Sequence, residues 1–303
     1  FRAAIERDST YALAWSGLAK TYVRVVERQF AIPGIDRDSL LRVAVAAVDR
    51  ALALDSTDAD AWAAKANVTR RIDPTDVNPV VRAARKAIAL DSANGPAWHF
   101  LALSLAELGD MSAALEAWRQ CVRANPSYTM GLAFLALGHY WRGQYDSAVV
   151  WADSAVALEP SYLLGRTTLG QIEIERGNFA RAIAAFEAAR RLATDVEVMN
   201  TLALRALAEA RAGRATAARS TLRLVDSLGT IHSPTPIHPA INAGQAHVAL
   251  GDVDRAIGWL TRYPLQQDLH YQLHLRCDPP FAAIANDRRF RSLVIAQARE
   301  GSC

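Results

Sequence analysis

The chain has 303 residues, 34 of them basic and 31 acidic, for a net charge of +3. That balance argues against a nucleic-acid footprint. No apolar run reaches membrane-spanning length, and three cysteines, Cys121, Cys277 and Cys303, are too few and too scattered for a disulfide framework. Arg outnumbers Lys by 31 to 3 in an Ala-rich chain, as a GC-rich bacterial genome encodes. Phe1 to Trp15 (FRAAIERDSTYALAW) reads as the second helix of a preceding unit, so the sequence is expected to be a fragment or a processed chain.

From Tyr11 the apolar residues recur at three- and four-residue steps, the period of one helix face: Trp15, Leu18, Ala19 and Tyr22. An insertion near 27–38, holding Ile32-Pro33-Gly34, delays the second helix, which resumes at Ser39 and ends near Leu54. The next unit opens at Asp60-Ala61-Trp62. Lys65 and Thr69 interrupt its apolar face, and its second helix runs from Val80 to Leu90. The clearest unit is Gly95 to Pro126. Trp98, Leu101, Ala102 and Leu105 form one face, Gly109-Asp110 breaks the helix, and Ala114, Leu115, Trp118, Cys121 and Val122 form the second before Pro126 closes it. Small Ala102 and Ala114 are expected at the close approach of the two helices, with Trp98 and Trp118 filling the wedge between them. The pattern repeats from Thr129 and from Leu163. The helix-joining glycines Gly109, Gly143 and Gly177 fall 34 residues apart twice running. A sixth unit is marked by Gly213 and Ala218. A proline loop near 229–239 follows, then a seventh unit with Gly244, Gly251, Ala256 and Trp259.

This pattern, Trp98-x2-Leu101-Ala102-x2-Leu105, Ala114-x3-Trp118, Pro126, resembles the tetratricopeptide repeat. The resemblance implies an all-α, right-handed α-solenoid of about seven helix–turn–helix repeats over 1–264, with a C-terminal capping segment over 265–303. The ending is similar to that of a bacterial group of such proteins: Ala249-Leu250-Gly251-Asp252 to Leu260, Cys277-Asp278-Pro279-Pro280-Phe281, then Asn286-Asp287-Arg288-Arg289-Phe290-x2-Leu293. It departs from that group's pattern at Pro280, Ala285 and Arg288. Phe281, Phe290 and Leu293 would cover the last helix pair. In that group such arrays follow serine/threonine kinase, adenylate-cyclase or winged-helix domains, and none of these stands in this sequence.

In such an array the first helix of each pair lines the inner face. The register places Lys20, Asn67, Arg70, His99, Leu103, Met130, Tyr140, Thr167, Gln171, Asn200 and Gln245 there. These are the expected partner-binding residues, suited to an extended peptide or a partner helix with a few apolar anchors. A Lys/Asn carboxylate clamp is not expected, because Ala63 stands where its Lys would be. His270-x3-His274-x2-Cys277 puts three metal-binding side chains on one helix face, with His232 and His238 near enough in sequence to add a fourth. The resemblance puts a plain helix there, and that reading is preferred, so no metal and no cofactor is expected. Nor is a catalytic constellation: His99 and His139 sit on first helices with no nucleophile arranged beside them.

The expected function is therefore a non-catalytic scaffold for protein–protein interaction, with a protein or peptide partner, no nucleic acid and no direct membrane insertion. It would be docked on or within a larger bacterial assembly or signalling protein. The alternative is the regulatory or substrate-docking C-terminal part of a serine/threonine kinase or similar enzyme. A cytoplasmic setting is favoured, or a periplasmic one if a leader precedes Phe1.

Overall fold

The computed structural model describes residues 1–27, 36–194, 196–231, 237–263, 267–295 and 303. Among these it is helical throughout, with no strand. No helix is long and apolar enough to cross a membrane. The chain divides into two compact units, one of 1–106 with 112–128 and one of 107–111 with 129–303.

Unit 1 begins with a short helix α1 (Arg2–Arg7), none of whose residues is buried. Helix pairs follow: α2 (Ala12–Glu27) with α3 (Arg37–Leu54), α4 (Ala59–Ile72) with α5 (Asn78–Leu90), and α6 (Gly95–Glu107) with α7 (Met111–Ala124). Ala19, Tyr22, Leu40, Leu41, Ala44, Ala47, Val48, Ala64 and Val68 make one core. Ala66, Val80, Ala83, Ala84, Phe100 and Leu101 make the next. Most of the insertion near 27–38 lies outside the described residues.

The joints between repeats are held by a recurring local device. An Asp ends one helix and accepts from the backbone and hydroxyl of a Thr two residues on, as Asp8 does from Thr10 and Asp55 from Thr57. These bonds hold both carboxyls below their ordinary value. The Trp that opens the next first helix then donates its indole N–H back to a carbonyl six residues earlier. Trp15 bonds Ser9, Trp62 bonds Ser56 and Trp98 bonds Ser92, at 3.0, 3.0 and 2.9 Å. Trp98 is only partly buried: it packs at the edge of the second core and also pins a turn. The wedge belongs to Trp118, which is fully buried. The sequence pattern did not separate these two tryptophans, because both fall on apolar faces.

Unit 2 continues with α8 (Thr129–Trp141) and α9 (Tyr145–Leu158), α10 (Leu163–Glu175) and α11 (Phe179–Arg190), α12 (Val196–Arg211) and α13 (Ala215–Ile231), and α14 (Ile237–Ala249) and α15 (Val253–Leu260). First helices pack in series, α8 on α10, α10 on α12 and α12 on α14. Gly143, Gly177, Gly213 and Gly251 each have φ between 69° and 77°. At each, paired backbone bonds close the first helix, as Gly177 N–H to Ile174 and Asn178 N–H to Glu173 do. A side chain at this left-handed position would be strained. Gly170 serves differently: a Cβ there would stand 2.4 Å from the Phe186 ring, so the glycine sets how closely α10 and α11 approach.

Two expectations are corrected here. The loop placed near 229–239 is helical up to Ile231 and again from Ile237, with only 232–236 outside the described residues. Pro239 sits in the first turn of α14, where its missing N–H breaks no bond. The cysteines, read as too few and too scattered for a disulfide framework, nevertheless form one bridge: Cys277 at the end of α16 (Leu269–Cys277) pairs with Cys303. They are 26 residues apart in sequence. A 3-10 turn (Pro279–Ile284) and α17 (Arg288–Leu293) complete the cap. There Phe281, Ile284 and Phe290 pack with Ile241, Val248, Ala256 and Leu260, with Leu293 at the margin.

Candidate partner-binding surface

The inner-face residues named from the register fall into different settings. In unit 1 Lys20 is exposed and pairs with Asp60 at 2.7 Å. Asp60 also accepts from Asn94 at 2.9 Å. Side chains of three successive repeats therefore meet in one polar ladder. Asn67 is buried and accepts from Arg71 Nε at 2.9 Å, while Arg70 is half-buried beside it. His99 and Leu103 are buried. In unit 2 Tyr140, Thr167, Gln171 and Gln245 are buried, and Met130 and Asn200 half-buried. Asn200 accepts from Asn242 at 2.6 Å, and Thr167 donates to carbonyls of its own helix. Gln245 donates to Asp278 at 2.6 Å. Many of the residues named from the register are thus engaged with the protein itself.

Burial, and secondarily the charges of Arg70 and Arg71, hold the His99 imidazole down to about 3. It folds neutral. The unfolded chain takes up a proton there near pH 6.5, so the stabilising difference is complete above that pH and is lost as pH falls. Between pH 6.5 and 4.5 this one group should remove about 2–3 kcal/mol. Denaturant titrations across that range should show the His99→Gln variant losing correspondingly less stability than the parent.

Unit 2 also carries residues that the register did not single out. A cavity of about 390 Å³ is lined by Arg219, Leu222, Arg223, Asp226, His247 and Arg255. His247 is 2% exposed. Its ring nitrogens make no hydrogen bond, and the nearest carboxylate, Asp252, is 4.0 Å away. Burial lowers its pKa. Three guanidinium groups against one carboxylate make this cavity suited to an acidic group. Arg219 and Arg223, four apart on α13, were the available signal.

Deep carboxylates tie helices together elsewhere in unit 2. Buried Glu173 accepts from Asn178 at 2.6 Å and from Arg181, which also clasps Asp153. Buried Glu209 accepts from Thr221 at 2.8 Å and Arg205 at 2.9 Å.

Of the candidate metal set, His270 and His274 do share a face of α16, but Cys277 is committed to Cys303 and offers no thiolate. In its stead His238 stands beside the two imidazoles. His232 lies outside the described residues.

Models of the tetratricopeptide repeat match residues 95–128 and 167–227. No curated protein matches the sequence. The structure is similar to that of the Cut9–Hcn1 hetero-tetramer of the APC/C, at 17% identity and a TM-score of 0.59, covering 91% of this chain and 51% of that one. It is similar also to a tetratricopeptide repeat protein from Parabacteroides merdae, at 15% identity and a TM-score of 0.55, covering 95% and 100%. PilW, a type IV pilus biogenesis factor, gives 16% and 0.55, covering 71% and 94%. At such identities the likeness is one of fold. Two segments of the chain thus match the tetratricopeptide repeat, and the helix pairs, with left-handed glycines at turns in unit 2, share the fold of solved tetratricopeptide-repeat structures.

Proposed function

We propose that the chain is a non-enzymatic scaffold that holds another protein or a peptide. The observation that carries this reading is the Lys20–Asp60–Asn94 ladder, which links three successive repeats and leaves the Lys20 and Asp60 side chains exposed while Asn94 is buried. Such a ladder recognises an extended partner through spaced contacts rather than through one deep pocket. Arg70 and Arg71 stand in the last turn of α4, at the other end of that helix from Asp60. In unit 2 the cavity of Arg219, Arg223 and Arg255 would take an acidic side chain of the partner. The Cut9–Hcn1 structure, a hetero-tetramer, supports the use of this fold in holding other chains.

The finer proposal is that the chain docks on or within a larger bacterial assembly. The Cys277–Cys303 bridge favours an oxidising compartment over the cytoplasm. The test is affinity capture from the native organism with the parent chain and with two charge reversals, Lys20→Glu/Arg70→Glu and Arg219→Glu/Arg223→Glu. One partner at constant stoichiometry, weakened at least tenfold in either double variant while the helical circular dichroism is unchanged, is the expected result. Equal capture by all three chains would remove both surfaces from consideration.

A further inference from the structure

Three histidines of unit 2 converge where the repeat array gives way to its cap. α16 carries His270 and His274 four residues apart, hence on one face, and the first turn of α14 brings His238 against both. The ring centroids are 5.7 Å apart for His238 and His270, 5.6 Å for His238 and His274, and 4.9 Å for His270 and His274. The planes are crossed at 78°, 90° and 83°. One ring nitrogen from each lies within 4.8 Å of the other two. A neutral imidazole offers one ring nitrogen lone pair to a metal.

The surroundings decide which nitrogen offers it. His274 Nδ1 donates to Asp278 Oδ2 at 2.9 Å. Asp278 is 3% exposed and is itself fixed by the Trp141 indole N–H at 2.8 Å and by Gln245 at 2.6 Å. His270 Nδ1 stands 3.4 Å from Oε1 of Glu107, a carboxylate that is also 3% exposed. A carboxylate hydrogen-bonded at Nδ1, as Asp278 is to His274, holds the tautomer whose lone pair is on Nε2, as the outer partners of metal-ligating histidines do. The two buried carboxylates also supply negative charge that a cation would offset.

We propose that His238, His270 and His274 form a binding site for one divalent transition-metal ion of the zinc class. All-nitrogen donors suit Zn²⁺ and its neighbours rather than Ca²⁺ or Mg²⁺, which take oxygen. Tetrahedral coordination at about 2.0–2.1 Å needs the nitrogens about 3.3 Å apart. Rotation of the exposed His238 ring, with small adjustments on α16, closes that gap. Water would complete the coordination. The ion would tie α14 to α16 and so fasten the cap to the last repeat pair.

The experiment uses the untagged chain with its disulfide intact, stripped with chelator and dialysed. Zn²⁺ is titrated calorimetrically, and Co²⁺ serves as a spectroscopic probe. One Zn²⁺ per chain is expected, together with the visible Co²⁺ bands of a four-coordinate nitrogen/oxygen site and no thiolate charge-transfer band. Asp278→Asn should weaken binding by roughly 10–100-fold, and His270→Ala or His274→Ala by more. Should either α16 variant fail to fold, His238→Ala decides alone, because His238 is exposed and carries little of the core. Absence of stoichiometric Zn²⁺ in the parent, or equal binding in parent and His238→Ala, would overturn the proposal.

Discussion

Trp118→Ala is expected to cost about 3–5 kcal/mol, the range for emptying a large aromatic from a closed core. The indole is fully buried in α7, with Leu115 and Cys121 buried on the same helix. Burial pushes the Cys121 thiol up to about 12, so this neighbour is a small apolar filler rather than a reactive group. The loss should be local in character. Repeat arrays are held by interactions between neighbours, so amide exchange should quicken first in α6 and α7 while α14 to α16 keep their protection. A uniform loss of protection along the chain would contradict the nearest-neighbour account. Trp98→Ala makes a useful contrast: it removes a partly exposed ring and one hydrogen bond, and its cost should be clearly the smaller.

Reduction of the Cys277–Cys303 bridge is expected to cost about 3.5 kcal/mol, from the entropy of closing a loop of that 26-residue separation. Thiol counting provides the first check. Denatured without reductant, the chain should alkylate once, at Cys121, and after reduction three times. Denaturant curves provide the second. The oxidised parent should unfold at higher denaturant than both the reduced parent and the Cys277→Ser/Cys303→Ser variant, which should agree with one another. Alkylation at three sites before reduction would show that the bridge does not form.

The repeat architecture was legible because it is written in short-range order: apolar residues at helical steps, and glycines at a fixed interval where a left-handed residue must end each first helix. The cap was expected instead from the resemblance of the ending to a bacterial group, and Phe281 and Phe290 are buried there with Leu293 packed at the margin. What escaped was everything decided between residues distant in sequence. The Trp98 and Trp118 patterns look alike until the fold gives one a turn carbonyl and the other a core. Cys277 looked like a ligand beside His274 because the intervals within a helix are visible in the sequence, whereas the return of Cys303 is not. Register placed Gln245 and Tyr140 on the inner side of first helices, but whether an inner residue meets solvent or another part of the protein depends on what packs over it. For Gln245 that is Asp278, 33 residues away. The Arg219–Arg223–Arg255 cavity needs two helices whose mutual placement no local pattern encodes.

The indole-to-carbonyl staples bear on how such a protein can change over generations. Each one closes within seven consecutive residues, so the angle at which a new helix pair departs is set by the joint itself. Length added elsewhere is not felt there. Trp15 and Trp62 are 47 positions apart and Trp62 and Trp98 only 36, yet all three staples have the same geometry to within 0.1 Å. A gene segment cut at these joints carries its own docking angle with it. Duplication, deletion or exchange of whole units can then proceed without redesign of the neighbours, while growth inside a unit, as between α2 and α3, supplies novelty at no cost to the frame.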